Sequence, residues 1–233
     1  MTQHQSRAST PKNWPILRKK TKWIMRVNPG THSLDKCINV NLLLKELLGY
    51  AKTSREVRRI LNQSKVLIDK KIRKEPRFPV GIMDLVEIEK TKEIFRLILD
   101  ENAKFKLIKV SKEDSSIKPC KIIGKKILKG KKTQINLYDS KNILSEDKKL
   151  KVGDTILLDV TSNKIIGHLK LEKNAHVLLV SGKHAGTTGT LKEIIAEKNM
   201  NKSRILLETK HGKIETLKEY AFVVDNKFVE NGK

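Results

Sequence analysis

The stretch from residue 41 to residue 89 constrains the fold of this chain more than any other part. Leucines between positions 42 and 48 recur with helical spacing, and the run ends at Gly49, whose missing Cβ suits the end of a helix. A second helix follows, because Thr53 and Glu56 have the spacing of a capping box. In that motif a hydroxyl and a carboxylate each bind an amide that the first turn leaves free. Two adjacent helices are therefore predicted.

The second helix is predicted to have one apolar and one basic face. Its apolar face is formed by Val57, Ile60 and Leu61. Its opposite face carries arginines at Arg55, Arg58 and Arg59.

Short strands are predicted after this helix. Residues 65–68 are apolar enough for a strand, residues 69–71 have the composition of a tight turn, and residues 84–88 alternate strictly, which is typical of a second strand. The predicted order is helix, helix, strand, turn, strand.

This order resembles the small alpha-L RNA-binding domain, found in one small-subunit ribosomal protein and in several RNA-modifying enzymes and tRNA synthetases. The family's Gly and Asp before an alternating strand are matched by Gly81 and Asp84, although two residues separate them here. In that family the second helix and its neighbouring loops face RNA. The alternative is that the basic residues on and beside the second helix are ordinary solvated charges of an amphipathic helix.

The net charge of the chain indicates a polyanionic partner. Lys and Arg number 50 against 26 Asp and Glu, which leaves +24, and such an excess repels itself unless a polyanion is present. Nucleic acid is the simplest explanation. A membrane surface is disfavoured because the basic residues are spread along the chain instead of gathering on one amphipathic helix, and no apolar run has the ~20 residues of a membrane span.

The amino-terminal and cysteine patterns predict a cytoplasmic protein. Residues 1–10 are polar, without the apolar core of a secretory signal. Cys37 and Cys120 are distant from each other and lack a CxxC pattern or a neighbouring His, so reduced thiols are expected at both positions.

Residues 1–36 are predicted to form a basic, extended arm. Asp35 is the single acid in this segment, which is rich in Lys, Arg, Pro and Gly. A segment of this composition is expected to stay mobile until a polyanion neutralises it. The chain's only tryptophans, Trp14 and Trp23, lie here. They either stack on RNA bases or pack on the protein, and packing is the commoner outcome.

Residues 93–171 are predicted to form a β-rich central domain, a barrel or an open roll. Residues 94–99 and 105–110 have the pattern of a hairpin. Further short strands are predicted at 120–128, 134–138, 155–160 and 165–169.

Residues 176–191 have the pattern strand, glycine loop, strand. The glycines Gly182, Gly186 and Gly189 permit positive φ and close backbone approach, and Lys183 and His184 lie at the tip of the loop. This pattern closely resembles the KOW motif, a β-barrel element of ribosomal proteins and transcription elongation factors. Strands at 205–207, 213–217 and 222–224 would complete the barrel. The alternative is a glycine-rich turn that binds no ligand.

Signals for catalysis or metal binding are missing from the sequence. Neither Gly130-Lys131-Lys132 nor Gly182-Lys183-His184 fits a nucleotide-binding Walker loop, no GxSxG segment is present, and no histidines are spaced as zinc ligands. We therefore predict no enzymatic activity, no cofactor, no metal and no small-molecule substrate.

The complete order of modules resembles the archaeal and eukaryotic-type protein four of the small ribosomal subunit, over about residues 10 to 225. Local matches are 11–14, 78–84, 95–98, 137–139 and 152–156. Asn13 replaces the usual His, and residues 3–7 depart from the family's opening segment. The short carboxy-terminal end resembles archaeal members.

The resemblance implies an α+β architecture in five parts. These are a basic arm (1–36), an alpha-L RNA-binding domain (37–92), a β-rich central domain (93–171), a KOW domain with an SH3-like β-barrel (172–226) and a tail (227–233). The implied function is that of a structural constituent of the small ribosomal subunit, with ribosomal RNA and neighbouring ribosomal proteins as partners. Because only 4% of residues are aromatic, folded RNA is expected to be recognised by shape.

An alternative function stays open on the sequence alone. It is that of a free KOW-containing regulatory factor, or an accessory subunit of an RNA-modifying enzyme. The residues predicted to contact RNA are Lys12, Trp14, Arg18, Lys19, Lys20, Lys22, Arg26, Lys45, Lys52, Arg55, Arg58, Arg59, Lys65, Lys183 and His184.

Overall fold

The computed structural model of the chain is built mainly from antiparallel strands. It describes residues 3–63, 66–129, 132–145, 147, 149–195, 202–210 and 212–228. The chain forms two compact units. The first unit comprises Met1–Leu99 and Lys104–Ser116, and the second comprises Asp100–Ala103 and Ile117–Lys233.

The amino-terminal arm is folded within the first unit, so the prediction of an extended arm is wrong. Strand β1 (His4–Ser6) pairs antiparallel with β2 (Trp23–Met25). Ile24 is buried under this pair, and the side-chain amide of Asn39 donates to the Met25 carbonyl at 2.8 Å. The arm folds because it buries apolar surface while most of its cationic side chains stay in water.

Trp14 is the main anchor of the arm. Its side chain is 2% exposed, and its indole N–H donates to the carbonyl of Cys37 at 2.8 Å. A buried indole needs such an acceptor, because an unpaired N–H in the core is costly. The expectation that this tryptophan packs on the protein is therefore confirmed.

Both predicted helices are present. After a 3₁₀ turn (Leu34–Lys36) and strand β3 (Cys37–Asn39), helix α1 (Val40–Leu42) continues as a π-helical turn (Leu43–Leu47). Gly49 ends it at φ +68°. Helix α2 spans Ser54–Gln63.

The capping box at the start of α2 is confirmed. The Glu56 amide donates to the Thr53 hydroxyl at 3.3 Å, and the Thr53 amide donates to the Glu56 carboxylate at 3.4 Å. The backbone N–H of Lys52 also donates to this carboxylate, at 2.7 Å. These donors, the Lys52 amide first, hold the pKa of Glu56 below its usual value. The cap fixes where α2 begins and hence which side chains share a face.

The two faces of α2 separate largely as predicted. Val57 and Leu61 are 0% and 1% exposed, while Ile60 is half-buried. The arginines on the other face are exposed. Burial of the apolar stripe holds the helix in place and turns its basic side to solvent.

The main sheet of the first unit takes up more of the chain than predicted. Its five strands are β4 (Val66–Ile68), β5 (Lys71–Ile72), β7 (Leu85–Ile88), β8 (Glu93–Leu99) and β9 (Phe105–Lys109). Strand β6 (Pro79–Gly81) lies between β5 and β7 in the chain. The order is β5-β4-β7-β8-β9, and β6 pairs separately with β3.

The predicted hairpin of β8 and β9 is confirmed, but it does not join the central sheet. β8 folds back directly on β7, with Ile88 opposite Glu93, and so extends the first sheet. The hairpin therefore belongs to the sheet of the first unit, although it lies after the predicted domain boundary at residue 93. The expected one-sided alternation in β7 is also wrong, since Leu85, Val86 and Ile88 are all buried.

A buried polar junction ties the arm to the turn before β7. The Asp84 carboxylate accepts from the Gly81 amide at 2.7 Å, and His32 Nε2 lies 3.0 Å from the same oxygen. A Cβ on Gly81 would come within 2.5 Å of the His32 ring. Gly81 and Asp84, which two residues separate in the sequence, thus have a role in packing.

The second unit begins with a sheet centred on one long strand. Its strands are β10 (Ile117–Ile127), β11 (Thr133–Leu137), β12 (Asn142–Ser145), β13 (Thr155–Asp159) and β14 (Ile165–Leu169), in the order β12-β11-β10-β13-β14. β10 pairs with β13 through its first half and with β11 through its second, with an irregularity between Ile122 and Gly124. The predicted pairing of β13 with β14 is confirmed.

A third five-stranded sheet follows. Its strands are β15 (His176–Leu179), β16 (Thr188–Ile195), β17 (Arg204–Thr209), β18 (Gly212–Leu217) and β19 (Ala221–Val223), in the order β18-β17-β16-β15-β19. Leu191, Ile205 and Leu207 are fully buried in its core. The predicted pattern of strand, glycine loop and strand is confirmed.

The loop glycines are required mainly by the protein itself. Gly182 and Gly186 have φ of +87° and +89°, in the region that favours glycine. A Cβ on Gly186 would lie 1.8 Å from the Asp100 carbonyl oxygen, and one on Gly189 would lie 2.7 Å from the Glu208 carbonyl oxygen. Packing within the second unit therefore explains these positions without a ligand.

Candidate nucleic-acid interface

The basic face of α2 borders a groove in the first unit. Lys45, Arg55 and Arg58 line a cavity of about 450 Å³ together with Arg7 and Trp23. None of the described residues lining this cavity is an aspartate or glutamate. Its walls therefore carry positive charge without a local counter-charge, which favours an anionic ligand.

A second cavity adjoins the first. It measures about 320 Å³ and shares His4, Met25 and Arg58 with its neighbour. Glu75 and Arg77 also line it, and the Arg77 guanidinium donates to the Arg26 carbonyl at 3.2 Å. The two cavities together form one groove between the arm and α2, which we call the arm groove.

Arg55 and Arg58 form no ion pair with any residue that the structure describes. Across the described ranges, no carboxylate lies within salt-bridge distance of either side chain. Arg59 Nε donates to the side chain of Gln63 at 3.2 Å, and Lys52 is exposed beside the start of α2. Lys65, predicted to belong to this face, lies outside the described residues.

The predicted residues of the arm differ in what they can do. Those with exposed side chains are Lys12, Arg18, Lys19, Lys20, Lys22 and Arg26. The Arg18 guanidinium nevertheless binds within the protein, where it donates to the carbonyls of Ala8 and Pro11 at 2.9 and 3.1 Å. It supports the fold of the arm as well as its charge.

The prediction that Trp14 contacts RNA is wrong. At 2% exposure its indole has no face available to an RNA base. Trp23 is the accessible tryptophan, at 58% exposure. The two were not separable by sequence composition, since both lie among lysines. Successive side chains of a strand point to opposite faces. Because Ile24 of β2 is buried, Trp23 lies on the exposed face.

The predicted pair in the glycine loop lies in the second unit. Lys183 is exposed, and His184 is partly exposed, with its carbonyl accepting from the Thr187 hydroxyl at 2.6 Å. That bond fixes the loop and leaves the Lys183 ammonium in solvent. This is a single cation at a rigid tip, in contrast to the cluster around α2.

Other residues of the arm groove were missed by sequence reasoning. They include His4, Arg7, Asn41 and Arg77. Arg7 is only 5% exposed, although its segment has the composition of a mobile arm, and Asn41 lies at the predicted start of an apolar helix. Their juxtaposition depends on the pairing of β1 with β2, which no local pattern in the sequence indicates.

Other kinds of site find little support in the described part of the chain. No three His, Cys, Asp or Glu side chains gather there as a metal site. Both cysteines are buried and neither forms a disulfide, and burial, with Asp84 and Asp35 nearby, raises the pKa of Cys37 to about 12. No described helix has the length and apolar character required to cross a bilayer.

Comparison with known proteins identifies the family. The small ribosomal subunit protein eS4 of Methanosphaera stadtmanae is 39% identical over 221 residues, which cover 95% of this chain and 91% of that protein. The chain belongs to the S4e family of ribosomal proteins. The eS4 protein of Archaeoglobus fulgidus is 37% identical, with coverage of 96% and 94%. The resemblance predicted from the sequence is thereby confirmed, including its archaeal character.

Family models and a solved structure agree with this assignment. The model described as Ribosomal family S4e matches residues 91–165, the S4 domain model matches 43–86, and the RS4NT domain model matches 1–35. The crystal structure of the 30S ribosomal protein S4e from Thermoplasma acidophilum superimposes with a TM-score of 0.71 at 29% identity. It covers 82% of this chain and 95% of that one. The basic face of α2 thus lies within the S4 domain match.

Proposed function

We propose that this S4e chain is a structural protein of the small ribosomal subunit that holds folded ribosomal RNA with its cationic surfaces. The curated relatives are named as small-subunit proteins, and the family confirms a ribosomal and non-enzymatic role. The family does not support the alternative of a free regulatory factor or an accessory subunit. On this proposal the protein acts in the cytoplasm, on the ribosome.

The observation that carries the proposal is the basic face of α2. Arg55 and Arg58 are exposed, lie on one wall of the arm groove and have no carboxylate partner among the described residues. Holding such charges together costs free energy in the isolated protein. RNA phosphates would offset that cost and release their condensed counterions on binding.

The proposed RNA-binding residues form three groups. The first group surrounds α2 and consists of Lys45, Lys52, Arg55, Arg58 and Arg59. The second is the exposed face of the arm, Lys12, Arg18, Lys19, Lys20, Lys22 and Arg26. The third is the tip of the glycine loop, Lys183 with His184. The assignment of this loop to a KOW motif remains a prediction. Neighbouring small-subunit proteins are further expected partners.

Shape is the expected source of specificity. Only 4% of residues are aromatic, which is too few for a row of stacked bases, so most contacts should be to the phosphate backbone of folded RNA. Rigid elements support this mode, because the capping box and the buried stripe of α2 fix the positions of its arginines.

A binding measurement tests this function. We expect the purified chain to bind small-subunit ribosomal RNA more tightly than large-subunit RNA of similar length, with log Kd rising linearly with log salt concentration. Filter binding across a salt series, with transfer RNA as competitor, measures both properties. Equal affinity for all RNAs at every salt concentration would leave only nonspecific charge attraction and would contradict the proposal.

A further inference from the structure

The larger cavity of the arm groove has the chemistry of a nucleotide site. Its volume of about 450 Å³ falls within the range of sites that hold small organic molecules. Arg55 and Arg58 stand at one side of it, where they suit a phosphate, and Trp23 provides an aromatic wall.

Trp23 is exposed in a way that packing does not explain. It is 58% exposed, whereas Ile24, the next residue on β2, is 6% exposed. The Lys22 ammonium lies 5.4 Å from the centroid of its ring, so the indole is set within positive charge. An exposed, flat π surface next to cations is the arrangement on which nucleic-acid bases stack.

Two buried polar atoms in the cavity wall have no partner in the described structure. They are the guanidinium Nε of Arg7 and the side-chain oxygen of Asn41. Arg7 and Asn41 are 5% and 2% exposed, and both line the cavity. Arg7 is held in place, because its Nη1 donates to the Leu17 carbonyl at 2.9 Å. One donor and one acceptor of these wall residues thus lack a partner, and a side-chain movement would be needed to expose them to a ligand.

We infer that the cavity binds one unpaired nucleotide of the ribosomal RNA. The base stacks on Trp23, its edge pairs with Arg7 and Asn41, and its phosphate lies against Arg55 and Arg58. Base edges carry both donors and acceptors, as the residues of this wall do, whereas an acidic peptide would require only the cations. The inference deepens the proposed function and rests on it, since shape recognition elsewhere would be combined with one base contact here.

Substitution of Trp23 tests the stacking step. Because this side chain is largely exposed, Trp23→Ala is expected to leave the fold intact and to weaken binding of small-subunit RNA by about 5- to 100-fold. The salt slope should be unchanged, because no phosphate contact is lost. Trp23→Phe should restore most of the affinity. Leu17→Ala, which removes another exposed apolar side chain of the arm, is the matched control and should have no effect.

Asn41→Ala tests the base-edge contact. It should also weaken binding without changing the salt slope, and a thermal melt monitored by circular dichroism checks that the variant is folded. Wild-type affinity in a folded variant would remove Asn41 from the site.

Fluorescence separates RNA from other polyanions. The Trp23 signal, taken as wild type minus Trp23→Phe, should be quenched by small-subunit RNA and unaffected by a polyglutamate peptide at the same charge concentration. Equal quenching by the peptide would overturn the nucleotide assignment. If the wild type binds ribosomal RNA selectively and Trp23→Ala binds equally well, this inference fails and the proposed function stands. If the wild type shows no selectivity, the proposed function fails and the inference fails with it.

Discussion

Reversing the charge of the α2 arginines should weaken binding to small-subunit RNA by about 100-fold or more in dilute buffer. In the variant with Arg55→Glu, Arg58→Glu and Arg59→Glu, three attractive phosphate contacts become repulsive, and the salt slope should fall by about 3, one for each phosphate lost. All three side chains are exposed, so the fold should survive. Filter binding at four or more salt concentrations gives both quantities.

The matched control changes net charge by the same amount elsewhere. Lys90, Lys126 and Lys173 are exposed and do not line the arm groove. Their replacement by glutamate should reduce affinity far less, because none of them lines the arm groove. Equal losses in the two triple variants would mean that total charge, and not the face of α2, governs binding.

Replacing Asp139 with alanine should destabilise the second unit by about 3 to 5 kcal/mol, the usual cost of removing one partner from a buried ion pair. Its carboxylate lies 3.2 Å from the Lys118 ammonium, and the two side chains are 4% and 2% exposed. The variant would leave the Lys118 charge in the core without this carboxylate. Chemical denaturation monitored by circular dichroism measures the change in the free energy of unfolding.

Two further variants show whether the buried charge is the cause. Lys141 also lies 3.2 Å from Asp139, but its side chain is 29% exposed, so Lys141→Gln should cost no more than about 1 kcal/mol. Combining Asp139→Asn with Lys118→Met removes both charges and should recover much of the loss. A double variant as unstable as Asp139→Ala would show that packing, and not charge, is the main contribution.

Local signals in the sequence were sufficient for much of the fold. The capping box of Thr53 and Glu56 and the helix end at Gly49 depend on residues within one turn of each other, and both are present. The hairpin of β8 and β9 was found for the same reason. Each of these features was predictable because its partners are close in sequence.

Features that depend on distant partners were missed. The burial of Trp14 requires the Cys37 carbonyl, 23 residues away, and no local pattern announces that acceptor. The arm groove requires β1 to pair with β2 and both to lie beside α2, so Arg7 and Asn41 could not be grouped with Arg55 beforehand. Charge alone indicated an RNA-binding surface, but tertiary contacts decide which cations share it.

The most direct test of a structural role on the ribosome is co-sedimentation from cells. The tagged full-length chain should travel with small subunits at one copy per particle and remain bound through a high-salt wash. Release from an assembled particle would require it to break its contacts with folded RNA and with neighbouring proteins together, and not only the salt-sensitive contacts to phosphates. A substoichiometric amount, or release of the chain into the free protein fractions by salt, would contradict the account.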